Sequence, residues 1–190
     1  NSSDASKTCP APMFVDLATG TDFVAAGVAT KVRRYNLGAD TWTASATTFA
    51  TNVVWLHRHG GYVFAACGAG DSIQRSNDLD TWTEPAAQTA NCLTTWVSGT
   101  TTNLVLAIDA TIKLSTDAGA TWGAAITVGD ATTNITGLGV AFGLLIIGKE
   151  DGLYHYDGTS VVEEMVFRNK KYAGNCKALV YHEGFLYTHI

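Results

Sequence analysis

Charge is scarce in this sequence, and the little there is does not form a basic surface. Only 15% of the 190 residues are charged, and 17 acidic against 12 basic residues give a formal net charge of −5. Domains that bind nucleic acids carry clustered lysine and arginine, which this chain lacks. We therefore expect no nucleic-acid partner.

Long apolar runs are also missing, and proline is rare. No run approaches the 18 apolar residues of a membrane-spanning helix, so we expect no membrane insertion. Hydrophobic residues make up 46% of the chain, and only three prolines interrupt it. No helical periodicity is present; short apolar or alternating segments separated by turn residues predict an all-β fold.

Motifs for cofactors and metals are absent as well. Residues 68–71 do not match a phosphate-binding loop because no helix is expected after them. No G-x-S-x-G or C-x-x-C pattern occurs. His57 and His59 lie on one side of an expected strand, as zinc ligands can, but no third ligand is identifiable. We predict no cofactor and no metal.

One repeated pattern stands out. Residues 115–122 have the form S-x-D-x-G-x-T-W, and residues 76–83 and 38–43 contain weaker copies. Ser and Asp before Gly favour a tight turn in which their side-chain oxygens bond to nearby N–H groups. Trp42, Trp82 and Trp122 follow at intervals of 40 residues. Repetition near this period is typical of β-propellers.

This pattern resembles the Asp-box, or BNR, repeat, which lies between the third and fourth strands of a propeller blade. The third copy matches the family pattern well, the second has a shorter loop, and the first keeps little beyond Asp-Thr-Trp. The resemblance implies a structural role, in which the carboxylate locks the turn and the tryptophan fills the gap beside the next sheet. The structural residues it implies are Asp40, Trp42, Ser76, Asp78, Trp82, Ser115, Asp117, Gly119 and Trp122.

Sialidases combine Asp-boxes with a six-bladed propeller, and their catalytic set is not recognisable in this chain. The family pattern requires an arginine triad, a Tyr–Glu pair and an acidic residue. Arg33 and Arg34 are adjacent and would point to opposite faces of a strand, while Arg75 lies beside a box. The resemblance is therefore to the architecture without its catalytic residues.

The repeat predicts a β-propeller of four-stranded blades, with a β-sandwich or a β-solenoid as alternatives. Residues 1–12 are expected to form an N-terminal arm. The blades are expected at residues 13–50, 51–90, 91–132, 133–173 and, as a partial fifth, 174–190. The incomplete fifth blade leaves three explanations open: a fragment of a larger ring, a ring completed by another chain, or a small blade. We favour the fragment.

Four cysteines occur, and the repeat positions suggest how they pair. Cys67 ends a second strand and Cys92 begins the next first strand, so the pairs Cys67–Cys92 and Cys9–Cys176 are predicted. Such bridges would place the protein in an oxidising compartment. The alternative is that all four are buried free thiols.

Polar residues at equivalent repeat positions are the candidates for ligand binding. Asparagines open the first strands of four units, and acidic residues occupy the loops between second and third strands. The candidates are Asn52, Asn91, Asn134, Asn175, Asp71, Asp109, Glu150 and Asp151. Such a ring of side chains can bind a sugar or a divalent cation, or can simply be solvated.

These observations favour a non-catalytic module located outside the cell, on its surface or on a virion. The expected partners are glycans, protein surfaces or other chains of an assembly, as for adhesins and phage or bacterial surface propellers. The alternative is a glycoside hydrolase or lyase whose catalytic residues lie partly outside this chain. That reaction needs two carboxylates across a cleft, for which Asp109 and Asp151 are the ones to test.

Overall fold

A computed structural model describes residues 14–16, 23–36, 38–167, 172 and 174–188. All regular secondary structure in these residues is β-strand, which confirms the all-β prediction. The predicted N-terminal arm, residues 1–12, lies outside the described residues. Val, Ile, Thr and aromatic residues populate the strands, and Gly, Asp and Asn populate the turns, as expected for residues that fit a pleated surface.

The described strands form five antiparallel sheets, each of which pairs strands that are consecutive in the chain. The first sheet contains β1 (Phe14–Asp16), β2 (Phe23–Val28), β3 (Lys31–Asn36) and β4 (Thr41–Ala44). The second contains β5 (Trp55–His59), β6 (Tyr62–Ala66) and β7 (Gln74–Ser76). The third contains β8 (Cys92–Ser98), β9 (Thr101–Ile108), β10 (Thr111–Ser115) and β11 (Ile126–Thr127). The fourth contains β12 (Ile135–Ala141), β13 (Leu144–Lys149), β14 (Gly152–Tyr156) and β15 (Val161–Val166), and the fifth contains β16 (Leu179–His182) and β17 (Phe185–Thr188).

The second sheet has one strand fewer than its sequence predicted. In a four-stranded blade, residues 81–84 at the end of the repeated motif would begin the fourth strand. They form only an isolated bridge between Arg75 and Thr83, with nitrogen-to-oxygen distances of 2.8 and 3.0 Å. The N–H of Trp82 points away from β7 and donates to the hydroxyl of Thr47 at 3.1 Å. The structure establishes each sheet by itself and no closed ring of sheets, so a closed propeller stays a prediction.

The chain forms two compact units, Asn1–Ala90 and Asn91–Ile190. The core of the first unit includes Val32, Phe49, Val63 and Trp82, all at most 6% exposed. The rings of Phe49 and Trp82 meet edge to face with centroids 5.4 Å apart. Burying a large apolar side chain contributes roughly 1.5–3 kcal/mol, so this cluster is a main source of stability for the unit.

The core of the second unit lies between the third and fourth sheets. Trp96 of β8 is 1% exposed and packs on Tyr156 of β14 with ring centroids 5.6 Å apart. Its indole N–H donates to the carbonyl of Gly143 at 2.9 Å. Four residues of β9, Leu104–Ala107, pair with both β8 and β10. All four are 0% exposed. Such a strand is covered on both faces, as short runs of small apolar residues predict.

The predicted disulfides are not formed. Cys67, Cys92 and Cys176 are buried free thiols, and Cys9 lies outside the described residues. The prediction of a Cys67–Cys92 bond was wrong because each side chain packs inside its own unit: Cys67 belongs to the core cluster of the first, and Cys92 is 0% exposed in the second. The Cys176 thiol contacts the carbonyl of Gly152 at 3.9 Å.

The repeated tryptophans do not share one environment. Trp82 is 6% exposed and fills its core as expected. Trp122 is half-buried, and its indole N–H bonds to the carbonyl of Gly119 at 3.0 Å. Trp42 is 45% exposed, which contradicts the expected gap-filling role. It packs instead on Tyr35 of the neighbouring strand, with centroids 5.1 Å apart.

Candidate functional site

The turn after β10 is held by the side chains of the repeated motif. The hydroxyl of Ser115 donates to Asp117 Oδ1 at 2.8 Å and accepts from the N–H of Gly119 at 2.9 Å. Asp117 also accepts from Thr121, from the N–H at 2.9 Å and from the hydroxyl at 2.6 Å. These bonds from Thr121 and Ser115 lower the pKa of Asp117 to about 2. The carboxylate is committed to the turn.

The turn after β7 repeats this arrangement in a shorter loop. Ser76 donates to Asp78 Oδ1 at 2.8 Å, and Thr81 binds Asp78 through its N–H at 2.9 Å and its hydroxyl at 2.6 Å. Partial burial opposes ionisation of Asp78, but the bonds from Thr81, the N–H of Asp80 and Ser76 outweigh it and keep its pKa below the usual range. Leu79 takes the left-handed backbone conformation, with φ of 63°.

The turn before β4 is of another kind. Asp40 is itself in the left-handed conformation, with φ of 51°, and its carboxylate accepts from the hydroxyl of Tyr35. That hydrogen bond raises the pKa of Tyr35. Asn36 Oδ1 caps the turn by accepting from the N–H of Ala39 at 3.0 Å. The first copy therefore keeps the residues Asp and Trp without the box geometry.

Two of the predicted asparagines meet a predicted acidic residue in the second unit. Asn134 donates to Glu150 from its N–H and from its side-chain amide, both at 3.3 Å. The amide of Asn175 donates to the Glu150 carbonyl at 2.9 Å. Asn134 is exposed, Glu150 is half-buried and Asn175 is 3% exposed. Glu150 thus presents at the surface a carboxylate that Asn134 holds in place, while Asn175 binds the backbone of the same residue.

An aromatic residue that the sequence interpretation missed lies in the same loop cluster. Tyr172 is 66% exposed, and its N–H donates to the Glu150 carbonyl at 3.3 Å. Its own carbonyl accepts from the N–H of Asn175 at 2.9 Å. We call the set Asn134, Glu150, Tyr172 and Asn175 the Glu150 surface. No motif marks Tyr172, because a single exposed tyrosine outside a strand has no periodicity.

The other candidates lie elsewhere and perform local tasks. Asp71 accepts from the N–H groups of Ala50 and Ser72, both at 2.8 Å, and so ties two loops of the first unit. Asp109 is an exposed turn residue with φ of 51°. Asn52 is exposed, and the N–H of Asn91 extends the β9 ladder by donating to Ala107 at 2.8 Å.

The residues directly before and after Glu150 in the chain are both buried and charged. Lys149 is 0% exposed, and its ammonium donates to the carbonyls of Val128 and, at 2.6 Å, Asp130. Asp151 is 7% exposed, and its Oδ1 has no hydrogen-bond partner among the described residues. Burial and the Asp151 carboxylate raise the pKa of Tyr154 to about 12. The one indication of the buried Lys149 in the sequence is its position at the end of an apolar strand.

The histidine pair does not form a metal centre. Burial, with the neighbouring His59 as a smaller cause, lowers the pKa of His57 to about 4, and burial also lowers the pKa of His59. Among the residues that the structure describes, no group of three or more His, Cys, Asp or Glu is placed to hold a metal ion. That part of the chain also contains no helix long and apolar enough to cross a membrane.

Comparison with known proteins identifies a fold but no family. No family and no curated protein matches the sequence. The solved structures that match the fold include two of extracellular domains from B. thetaiotaomicron. One, of a proposed hybrid two component system, has a TM-score of 0.68 and 13% identity over 92% of this chain and 24% of that chain. The other, of a proposed one component system, has a TM-score of 0.62 and 12% identity over 87% of this chain and 25% of that chain. This chain spans about a quarter of their length.

Proposed function

We propose that this protein is a non-catalytic binding module that acts outside the cell and binds glycans at the Glu150 surface. The observation that carries the proposal is the half-exposed Glu150 carboxylate, which Asn134 holds, together with the exposed Tyr172, whose backbone N–H bonds to the carbonyl of Glu150. An extracellular location is supported by the fold likeness to extracellular domains and by the low charge of the chain.

The chemistry of these groups suits a neutral sugar. A carboxylate accepts hydrogen bonds from hydroxyl groups, and such charge-assisted bonds are stronger than neutral ones. The amide of Asn134 supplies both donor and acceptor capacity. An exposed aromatic ring offers an apolar face with a polar tip, on which a sugar ring can pack. Asn175 is buried and positions the loop that carries Tyr172.

We further propose that the sheets are blades of an Asp-box β-propeller. Three of the five sheets contain four consecutive antiparallel strands, which is the composition of a blade. The turns after β7 and β10 share one side-chain hydrogen-bond pattern at corresponding positions of two sheets. A low-resolution solution envelope with a central channel would support a ring, whereas an elongated stack of sheets would contradict it.

The glycan proposal is tested with a panel of immobilised glycans and three variants. Binding by the intact protein should fall at least about tenfold, or 1.4 kcal/mol, in Glu150→Gln and in Tyr172→Ala. Glu84→Gln, which changes an exposed acid of the first unit, should bind as the unaltered protein does. If all three variants bind the glycans equally well, the Glu150 surface is not the binding site. Turnover of chromogenic glycosides would instead favour the glycoside hydrolase alternative.

A further inference from the structure

One face of the fourth sheet carries an apolar groove of about 350 Å³. The groove is lined by side chains of this sheet and its first turn, and by one residue of β17. The apolar residues in the lining are Phe142, Leu144, Ile146, Leu153, Met165 and Leu186. Small-molecule sites in proteins are concave, mostly apolar and about 300–1,000 Å³ in volume. The groove therefore has the size and the lining of a site for a compact organic molecule.

Carboxylates supply the fixed charge at the groove. His155 Nδ1 lies 2.7 Å from Oε1 of Glu164, another lining residue, and the Glu164 side chain is 51% exposed. The adjacent Glu163 accepts from the hydroxyl of Tyr154, also in the lining, at 3.5 Å. None of the described residues that line the groove is a lysine or an arginine. The groove is therefore complementary to a ligand with a positive charge and repels one with a negative charge.

Phe142, in the turn between β12 and β13, has a backbone conformation that bulky residues avoid. Its φ is 53°, and it is 68% exposed. The equivalent first position of the turn is glycine in the second and third sheets, where Gly60 and Gly99 have φ of 57° and 59°. Glycine takes this left-handed conformation without a steric penalty, so folding alone would favour glycine at position 142. The ring of Phe142 instead meets that of Tyr181 edge to face, with centroids 4.9 Å apart. Backbone strain of this kind is concentrated at functional sites.

We propose that this groove binds a small organic amine with an aromatic or branched apolar body. The apolar body packs on the leucine, isoleucine and methionine side chains and on Phe142, because removing such surfaces from water is favourable. The ammonium group donates a charge-assisted hydrogen bond to Glu164. His155 orients that carboxylate through Oε1, which leaves Oε2 for the ligand. No residue of the Glu150 surface is among the described residues that line the groove, so this is a second site for a different class of ligand.

The test uses Met165 as a reporter, because it lies in the groove and is one of only two methionines in the chain. Labelling the methionine methyl groups with ¹³C gives two NMR signals, and Met165→Leu identifies the one from the groove. The intact protein is titrated with 4-phenylbutylamine, 4-phenylbutan-1-ol and 4-phenylbutyrate, which share one carbon skeleton and differ in charge. We expect a saturable shift of the Met165 signal, with the amine binding about two- to fivefold tighter than the alcohol and the acid binding most weakly.

Two variants separate the charge from the apolar contact, each with a matched control. Glu164→Gln should lower amine binding to the level of the alcohol and leave alcohol binding unchanged. Its control, Glu183→Gln, changes an exposed acid of the same unit that does not line the groove. Phe142→Asn should weaken binding of all three probes at least about threefold, and asparagine tolerates the backbone conformation at this position. Its control is Phe185→Asn, since Phe185 is 67% exposed and lies outside the lining.

The proposal is overturned if no probe moves the Met165 signal, if the acid binds as tightly as the amine, or if Phe185→Asn weakens binding as much as Phe142→Asn does. It is also overturned if the Met165 signal changes with protein concentration when no probe is present, since a second copy of the chain then occupies the groove. Glu150→Gln should leave amine binding unchanged, so that failure here is distinct from failure of the glycan proposal.

Discussion

Thr121 donates two hydrogen bonds to the Asp117 carboxylate, from its N–H at 2.9 Å and from its hydroxyl at 2.6 Å. Thr81 binds Asp78 at the same two distances in a loop that is one residue shorter. The side chains of Ser, Asp and Thr therefore determine the turn, because the pattern survives a change in loop length.

Asp78→Ala should lower the free energy of unfolding by about 1–2 kcal/mol. The change removes bonds from Ser76 and Thr81 to one carboxylate, and the exposed location keeps the loss below their simple sum. Urea denaturation gives the difference. Glu84→Ala, at an exposed position, is the control and should change stability little. Equal stability of the two variants would show that the Asp78 carboxylate is dispensable.

Asp117 should make unfolding sensitive to acid. The bonds from Thr121 and Ser115 lower its pKa from 3.8 to about 2 in the folded protein, so the unfolded chain binds the proton more tightly. Its contribution is present above about pH 4 and is lost as pH falls toward 2. Asp117→Asn should flatten the decline of stability over this interval, measured by denaturation at several pH values. An unchanged slope would contradict this account.

His57 should stay neutral in the folded protein down to about pH 4. Burial lowers its pKa from 6.5 to about 4, so the unfolded chain takes up the proton first. The resulting stability is present above pH 6.5 and is lost as pH falls toward 4. Imidazole NMR shifts should show this titration, which should move to about 6.5 in urea. A titration midpoint of His57 near pH 6.5 in the native protein would contradict the lowered pKa.

Gly148→Ala should destabilise the second unit. An added Cβ would lie 2.3 Å from Cβ of Cys176 and 2.9 Å from its carbonyl oxygen, so the backbone must shift. Overpacking of this kind costs about 1–3 kcal/mol. Gly123→Ala is the matched control, since its Cβ would make an ordinary contact at 3.5 Å with the Leu114 carbonyl. Thermal unfolding of both variants measures the difference.

Buried thiols should react with alkylating agents only after unfolding. Burial raises the pKa of Cys67 and of Cys92 to about 12, and a protonated thiol is a poor nucleophile. Iodoacetamide should spare both in the native protein and modify both in denaturant without reductant. Peptide mapping by mass spectrometry gives the result. A cross-linked peptide joining the two would restore the disulfide prediction.

Local chemistry allowed much of the fold to be predicted. Each strand from β1 to β17 lies inside one of the five segments in which strands were expected, and the turns after β7 and β10 carry the expected side-chain bonds. These features depend on residues within one turn or on neighbouring strands. The sequence did not predict that residues 81–84 form only a single bridge, or that the N–H of Trp82 bonds to Thr47, 35 positions away.

The candidate site was only partly predictable, because some of its contacts join residues that are far apart in the sequence. The strands, the turns and the polar loop residues could be predicted from the residues alone, because they follow from side-chain shape and from hydrogen bonds over a few positions. The contact of Asn175 with Glu150, 25 positions apart, and the loop contact of Asp71 in the other unit could not. Nor could the exposure of Trp42 or the free thiols, because burial and contact depend on how sheets pack on one another.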